Sequence, residues 1–232
     1  MEKDIDKIHI AQSMEELWGL LSDEQRTLFV ENIEIRRIEK DEAVYHKGDV
    51  PSFMFFLLNG KIKICKEGIG GREQIVRLIK PYTFFGYRSA FADEQHKTTG
   101  EAYEPSTIAY LPIDFMKQLI AENGQVGILF IRQLAYALGI ADMTTVNMTQ
   151  KHLRGRLAEA LIRLIDNYGY ERDGHTLNIS TSREDLAKLS NMTTSNAIRT
   201  LSSFAGEGLI AIEGKHIAIL KEDELAHISY TG

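Results

Sequence analysis

The stretch Ser182-Arg183-Glu184-Asp185-Leu186-Ala187-Lys188-Leu189-Ser190-Asn191-Met192-Thr193-Thr194-Ser195-Asn196-Ala197-Ile198-Arg199-Thr200-Leu201 decides how this chain folds. Ser182 precedes Leu186, Ala187 and Leu189 with an acidic residue three positions on, so it caps a short helix starting at Arg183. Asn191 breaks that helix. Thr193 caps a second one, which runs from Thr194 through Asn196 to Phe204. Two short helices across a tight polar turn predict a helix-turn-helix, with Ala187 small enough to let them approach and Ala197, Ile198 and Leu201 filling the inner side. Thr194, Ser195 and Arg199 then project from the first turns of the second helix, where a recognition helix meets base edges in the major groove.

Downstream, Leu209-Ile210-Ala211-Ile212 and Ile217-Ala218-Ile219-Leu220 flank Glu213-Gly214-Lys215-His216. This is the pattern of a hairpin wing, with Lys215 and His216 at its tip. From Lys151 to Gly232 ten Lys and Arg face eleven Asp and Glu, so the segment is not basic as a whole. Glu171 and Asp173, with the tail Glu222, Asp223 and Glu224, hold five of the acids. The candidate phosphate partners are Lys151, Arg154, Arg156, Arg183, Lys188, Arg199 and Lys215. Each phosphate neutralised contributes about 0.9 to the slope of log affinity against log salt.

Upstream, Leu153, Leu157, Ala160, Leu161 and Leu164 mark a helix ending in the polar segment 167–174, and before it an uninterrupted helical stretch covers about Gln125 to Thr149. Ile131, Leu134, Leu138, Ala141, Thr145 and Met148 recur there at alternating steps of three and four. Such a narrow stripe pairs two helices in a parallel homodimer, or else packs one helix on its own core. Ahead of Asp114 to Ala121, itself helical, strand signals dominate. Phe53 to Leu58 is an apolar run, Asn59-Gly60 reads as a two-residue hairpin turn, and Lys61 to Lys66 mostly alternates, which predicts an antiparallel hairpin with one wet face. Further short strands are expected at 33–38, 74–79 and 107–111. Without crossover helices they indicate a small β-roll or barrel. Helices over 13–32, with a capping box at Ser22 to Gln25, come first.

The 232 residues, 44% hydrophobic, support a packed core in one large or two modest domains. A single cysteine, Cys65, excludes an internal disulfide, a cysteine-bound iron-sulfur cluster and a thiolate zinc site. Seven histidines show no ligand spacing, so neither a metal nor another cofactor is expected. Met1 to Ile10 lacks the apolar core of a secretory signal, and no uninterrupted run approaches roughly 18 apolar residues. The expected compartment is the cytoplasm, with no membrane partner. A net charge of -6 confines any nucleic-acid site to a local patch.

Taken jointly, Gly48 and Gly60, Phe85-Gly86 before Phe91, the long helix, Gly155-Arg156, Ser182-Arg183-Glu184-Asp185, the second short helix and Gly214-Lys215 resemble the Crp/Fnr superfamily of bacterial transcription regulators. The resemblance covers essentially the whole chain. It implies an α+β fold: an N-terminal β-roll of the cyclic-nucleotide-binding-like, double-stranded β-helix kind (1–124), a dimerisation helix (125–150) and a C-terminal winged helix-turn-helix (151–232). It also implies a homodimer on double-stranded DNA, RNA polymerase as a further partner, and control by a small-molecule effector. The DNA-binding set is then Ser182, Arg183, Thr193, Thr194, Ser195, Asn196, Arg199 and Lys215, with Ser182 and Arg183 on phosphate. Phe85, Gly86, Tyr87, Arg88, Lys97 and Thr98 form the effector pocket.

Departures from the family pattern matter as much. Cyclic-nucleotide-binding members carry a glutamate on the ribose hydroxyl and an arginine and serine on the phosphate, where this chain has Tyr87, Lys97 and Thr98. The members' adenine-contacting threonine and serine fall at Ala141 and Asp142. These changes argue against cyclic AMP and leave either another small acid, paired by Arg88 or Lys97, or a filled, ligand-free core. On the second short helix Arg199 remains, but Ser195 replaces the acid that accepts from cytosine. A metal-dependent oxygenase needs two histidines and a carboxylate in the strand region, where only His46 and His96 occur, so no enzyme is expected. The remaining alternative is a ligand-binding sensor or scaffold that has lost specific DNA binding.

Overall fold

The computed structural model describes residues 2–232, with side chains from Lys7 onward. The chain divides into two compact units, one built from residues up to Lys66 together with Arg77–Gly139, the other from Glu67–Val76 together with Ile140–Gly232. In chain order the elements are α1 (Glu2–Ser13), α2 (Glu15–Trp18), α3 (Asp23–Asn32), β1 (Glu34–Ile38), β2 (Ala43–Tyr45), β3 (Phe53–Asn59), β4 (Ile62–Glu67), β5 (Glu73–Ile79), β6 (Thr83–Phe85), α4 (Tyr87–Phe91), β7 (Thr99–Ala102) and β8 (Ser106–Pro112). The remainder is mostly helical: α5 (Ile113–Glu122), α6 (Gly124–Gln150), α7 (Leu153–Tyr168), α8 (Arg183–Leu189), α9 (Thr194–Gly206), β9 (Ile210–Glu213), β10 (His216–Ile219) and α10 (Glu222–Thr231).

Two four-stranded sheets make the β-roll, in the orders β1-β8-β3-β6 and β2-β7-β4-β5. This corrects the expected hairpin. β3 and β4 lie in different sheets, and Asn59-Gly60 turns the chain from one to the other. Nor does β4 have a wet face: Ile62, Lys63, Ile64 and Cys65 are all buried. Lys63 survives there because Glu101, opposite it on β7, pairs with its ammonium at 2.8 Å. Gly60 is required at the corner. Its φ is +93°, and a Cβ there would stand 2.2 Å from the Ser106 hydroxyl.

Alternation along β3 builds two apolar layers. Phe56 and Met54 face α1, α3, α5 and the start of α6, joining Phe29, Met116, Leu119, Val126 and Phe130 in one core. Phe55 points the other way, meeting Tyr110 edge-on at 5.0 Å and Phe85 at 5.2 Å across the registered pairs of β8 and β6. Tyr45 lies parallel to Phe55 at 5.7 Å, and His96 stacks on Tyr45 at 4.0 Å. Each buried aromatic contributes about 2 to 3 kcal/mol. Aromatic rings therefore fill this part of the roll. Burial holds His96 below its ordinary pKa, with Asp49 opposing the shift and Arg88 reinforcing it.

The first half of α6 is fixed in the β-roll core by buried Val126, Leu129 and Phe130, with half-buried Leu134 packed against it. The rest is apolar around most of its circumference, and by length and composition alone the helix could cross a membrane. The second unit rests on α7, which packs closely with α10, and on α8, α9 and the β9-β10 ribbon. The capping predictions hold in detail. Ser22 and Gln25 exchange both capping-box bonds, Ser182 accepts from the Asp185 amide, and Thr193 accepts from the Asn196 amide. The segment read as an acidic tail is instead the first turn of α10, where three carboxylates face the positive helix end and Leu225 is buried.

Gly60→Ala should cost about 2 kcal/mol or more in chemical unfolding, since it adds both backbone strain and overlap with Ser106. A neutral result would remove the corner constraint. His96 has a depressed pKa, so its contribution to stability is complete above the ordinary value of 6.5 and declines as pH falls below it. Melting temperatures followed from pH 8 downward should drop through that window. His96→Phe, which keeps a ring against Tyr45, should flatten the drop.

Candidate nucleic-acid interface

The outer side of α9 is set by what holds its inner side. Ala197, Leu201 and Phe204 are buried against α7 and α8, which leaves Thr193, Thr194, Ser195 and Arg199 exposed and Asn196 half-buried. Ile198 was expected inside. It is instead 48% exposed, because the inner stripe follows 197, 201 and 204 and carries 198 around to the outer face. The turn between the helices passes through Asn191 at φ +49°, whose carbonyl accepts from Arg156 Nη1 at 2.9 Å. Arg156 thus anchors the motif.

Four of the seven cations read as phosphate partners are engaged within the protein. Arg154 forms a two-pronged pair with Glu207, donates to Ser203 at 3.1 Å and lies 4.8 Å over the Phe204 ring. Hydrogen bonds from Arg154 and then Ser203 pull the Glu207 carboxyl down to about 2. Lys151 pairs with Glu159 at 3.1 Å. Arg156 serves the turn. Lys188 pairs with Glu73 at 2.8 Å and Glu184 at 2.9 Å; burial opposes its charge, but the two carboxylates prevail and raise its pKa. Sequence spacing could not show these pairs, since each but Lys188–Glu184 and Lys151–Glu159 joins residues far apart in the chain.

Arg183, Arg199 and Lys215 remain. Among the described residues none of the three has a carboxylate partner, and Arg199 is braced only by donating Nη2–H to Asn196 Oδ1 at 2.5 Å. Lys215 stands exposed in the two-residue turn between β9 and β10, the predicted wing, whose Ile217 and Ile219 are buried. Ser182 donates to Asp185 at 2.6 Å while capping α8. Its hydroxyl is committed to the cap.

The residues read as an effector pocket lie at and around α4. Phe85 and Tyr87 are buried, and Gly86 takes φ +80° with the Phe55 ring 2.4 Å from where a Cβ would stand. Tyr87 donates to Gln133 of α6 at 3.1 Å. Thr98 lies 3.4 Å from the Tyr45 hydroxyl. Arg88 and Lys97, read as holding an acid group, both face Glu94, at 2.6 and 3.7 Å. Hydrogen bonding to Arg88 holds the Glu94 carboxyl below its usual range. Among the described residues no His, Cys, Asp and Glu cluster could hold a metal.

The predicted dimer stripe is largely uncovered, with Ile131, Leu138, Ala141 and Thr145 exposed and Leu134 and Met148 half-buried. Tyr136, Ile140, Met143 and Val146 are exposed apolar neighbours that the three-four spacing missed.

Arg154→Ala should lower the melting temperature while leaving the salt dependence of DNA binding unchanged. Arg183→Ala should do the reverse, reducing the salt slope by about 0.9 for each phosphate no longer neutralised. The opposite pattern in paired melting and anisotropy titrations would reverse these assignments.

Comparison with known proteins agrees with this architecture. Residues 35–123 match the cyclic nucleotide-binding domain and residues 155–228 the Crp-like helix-turn-helix domain. Over 189 residues the chain is 23% identical to the CRP-like cAMP-activated global transcriptional regulator of Mycobacterium tuberculosis, covering 81% of this chain and 84% of that one. It is 23% identical over 190 residues to the global nitrogen regulator of a Nostoc species, covering 81% and 85%. The fold is that of FixK2 from Bradyrhizobium japonicum, with a TM-score of 0.76 at 19% identity over 84% of this chain and 96% of that one. With both domains matched and the β-roll, long helix and winged motif in the same order, the chain belongs to the Crp/Fnr family of DNA-binding transcription regulators.

Proposed function

We propose that this regulator is a cytoplasmic homodimer that reads a two-fold related DNA site and answers a small-molecule effector other than cyclic AMP. It comprises a sensing β-roll (1–124), a dimerisation helix (125–150) and a winged helix-turn-helix (151–232). The observation that carries the reading is Arg199, exposed on a capped helix and free of any carboxylate among the described residues. Such a guanidinium donates to guanine O6 and N7, while Arg183 and Lys215 hold phosphate on either side. Dimerisation is supported by the uncovered apolar stripe of α6, which a second copy would bury. Half-sites then lie about 34 Å apart, one helical turn. RNA polymerase is the further partner such a regulator requires, and no catalytic role is assigned.

Relatives of equal identity bear names for cyclic AMP activation and for nitrogen regulation, so similarity at this level does not choose the effector. The residues argue against cyclic AMP. Tyr87 is bonded to Gln133 instead of offering a carboxylate, and Glu94 already pairs closely with Arg88 and more loosely with Lys97, so a phosphate would have to compete with a carboxylate there. An effector acid exchanging with Glu94 would move α4, and the Tyr87–Gln133 bond would carry that movement to α6.

Native mass spectrometry should report two subunits. Three free cations in each of two copies give a salt slope of about -5, measured by anisotropy on a selected site. Cyclic AMP should leave that affinity within about twofold, and Arg199→Ala should erase about 1 to 3 kcal/mol of preference at one guanine. A monomer, a salt-independent signal or a strong response to cyclic AMP would each contradict the corresponding part.

A further inference from the structure

We infer that Ile198 is a specificity-determining residue that packs against the C5-methyl group of a thymine in the half-site. The inference rests on the DNA-reading role of α9 and adds an apolar contact to it. Ile198 shares the outer face of α9 with Thr194 and Ser195 one turn before it and Ser202 one turn after it, and it adjoins Arg199. Every other residue of that strip is polar. A β-branched side chain on an exposed helix position gains nothing locally: it lowers helix propensity and leaves hydrocarbon in water. Its own unit covers about half of the side chain and leaves 48% of it exposed, the inner stripe being complete with Ala197, Leu201 and Phe204.

The chemistry of the surrounding face selects the partner. Arg183, Arg199 and Lys215 suit a polyanion, and the one apolar group that a duplex presents in its major groove is the thymine methyl. Isoleucine is shorter than arginine, so its base lies where the helix comes closest. Arg199 supplies hydrogen bonds to guanine, and Ile198 supplies a contact that cytosine, which lacks the methyl, cannot return. Together they would distinguish thymine from cytosine and guanine from adenine within one half-site.

The test uses the full chain and a site selected from a random pool. Each thymine of the site is replaced in turn by deoxyuridine, which keeps every pairing group and removes only the methyl. At one or two positions per half-site the wild type should lose about three- to tenfold in affinity, and Ile198→Ala less than twofold at the same positions. Ile198→Val should fall between them. Because half of the side chain already stands in solvent and alanine favours helix, Ile198→Ala should keep the wild-type salt slope and melt within a few degrees of the wild type. Selective binding indifferent to every methyl would overturn this inference alone, as would equal penalties in wild type and Ile198→Ala. Absence of any salt-dependent binding would overturn the DNA-reading role itself, and this inference with it.

Discussion

The orientation of α9 depends on one hydrogen bond to a strained turn. Asn191 sits at positive φ between two helices, a conformation that asparagine adopts more readily than most non-glycine residues, and its half-buried carbonyl faces α7. Arg156 reaches from α7 to satisfy it. A hydrogen bond from a charged donor contributes about 1.5 to 3 kcal/mol, so the bond favours this turn over a continuous or differently angled helix pair. With the turn set, the inner stripe of α9 is determined. The outer face, Arg199 and Ile198 included, follows from the helical period.

The β-roll shows the opposite use of charged and aromatic groups. Its interior beside the candidate pocket is filled by Tyr45, Phe55, Phe85 and His96, and Glu94 lies between two of its cations, close to Arg88 and farther from Lys97. An incoming anion must displace a carboxylate before it meets Arg88. Exposed pairs of this kind hold only weakly, about 0 to 1 kcal/mol each, so the displacement is within reach of an ordinary ligand. The consequence lies in selectivity: a ligand that offers only negative charge gains little over Glu94, whereas one that also makes shape-specific contacts gains more.

Local chemistry was legible in the sequence and long-range pairing was not. Ser182 and Thr193 cap the helices they were assigned, because a cap needs only residues three apart. The wing turn at Gly214-Lys215 is equally local. Asn59-Gly60 has the composition of a hairpin turn, yet the partner of β3 is set by β8 and β6, whose aromatics match its own, and β4 pairs with β7 and β5. Ile198 was misplaced for a related reason: apolarity suggests the core, while the helical period assigns that position to the surface. Lys151, Arg154, Arg156 and Lys188 looked available because composition counts charges without showing their partners. Only geometry separates them from Arg183, Arg199 and Lys215.

That separation bears on how an acidic chain reads DNA at all. With a net charge of -6, the whole-molecule field repels a duplex, and Arg183, Arg199 and Lys215, the three candidate contacts without a carboxylate partner among the described residues, supply modest phosphate attraction. Non-specific binding is weak in consequence. On the proposed reading, specific binding draws a larger share of its free energy from base edges, through the guanidinium of Arg199 and the hydrocarbon of Ile198, and from engaging two half-sites at once. Engagement of the second half-site becomes intramolecular once the first is bound, so a rigid helix joining the copies raises the effective concentration that the local charge cannot provide. The acidic composition that argues against a general DNA binder is therefore compatible with a selective one, provided that α6 joins two copies.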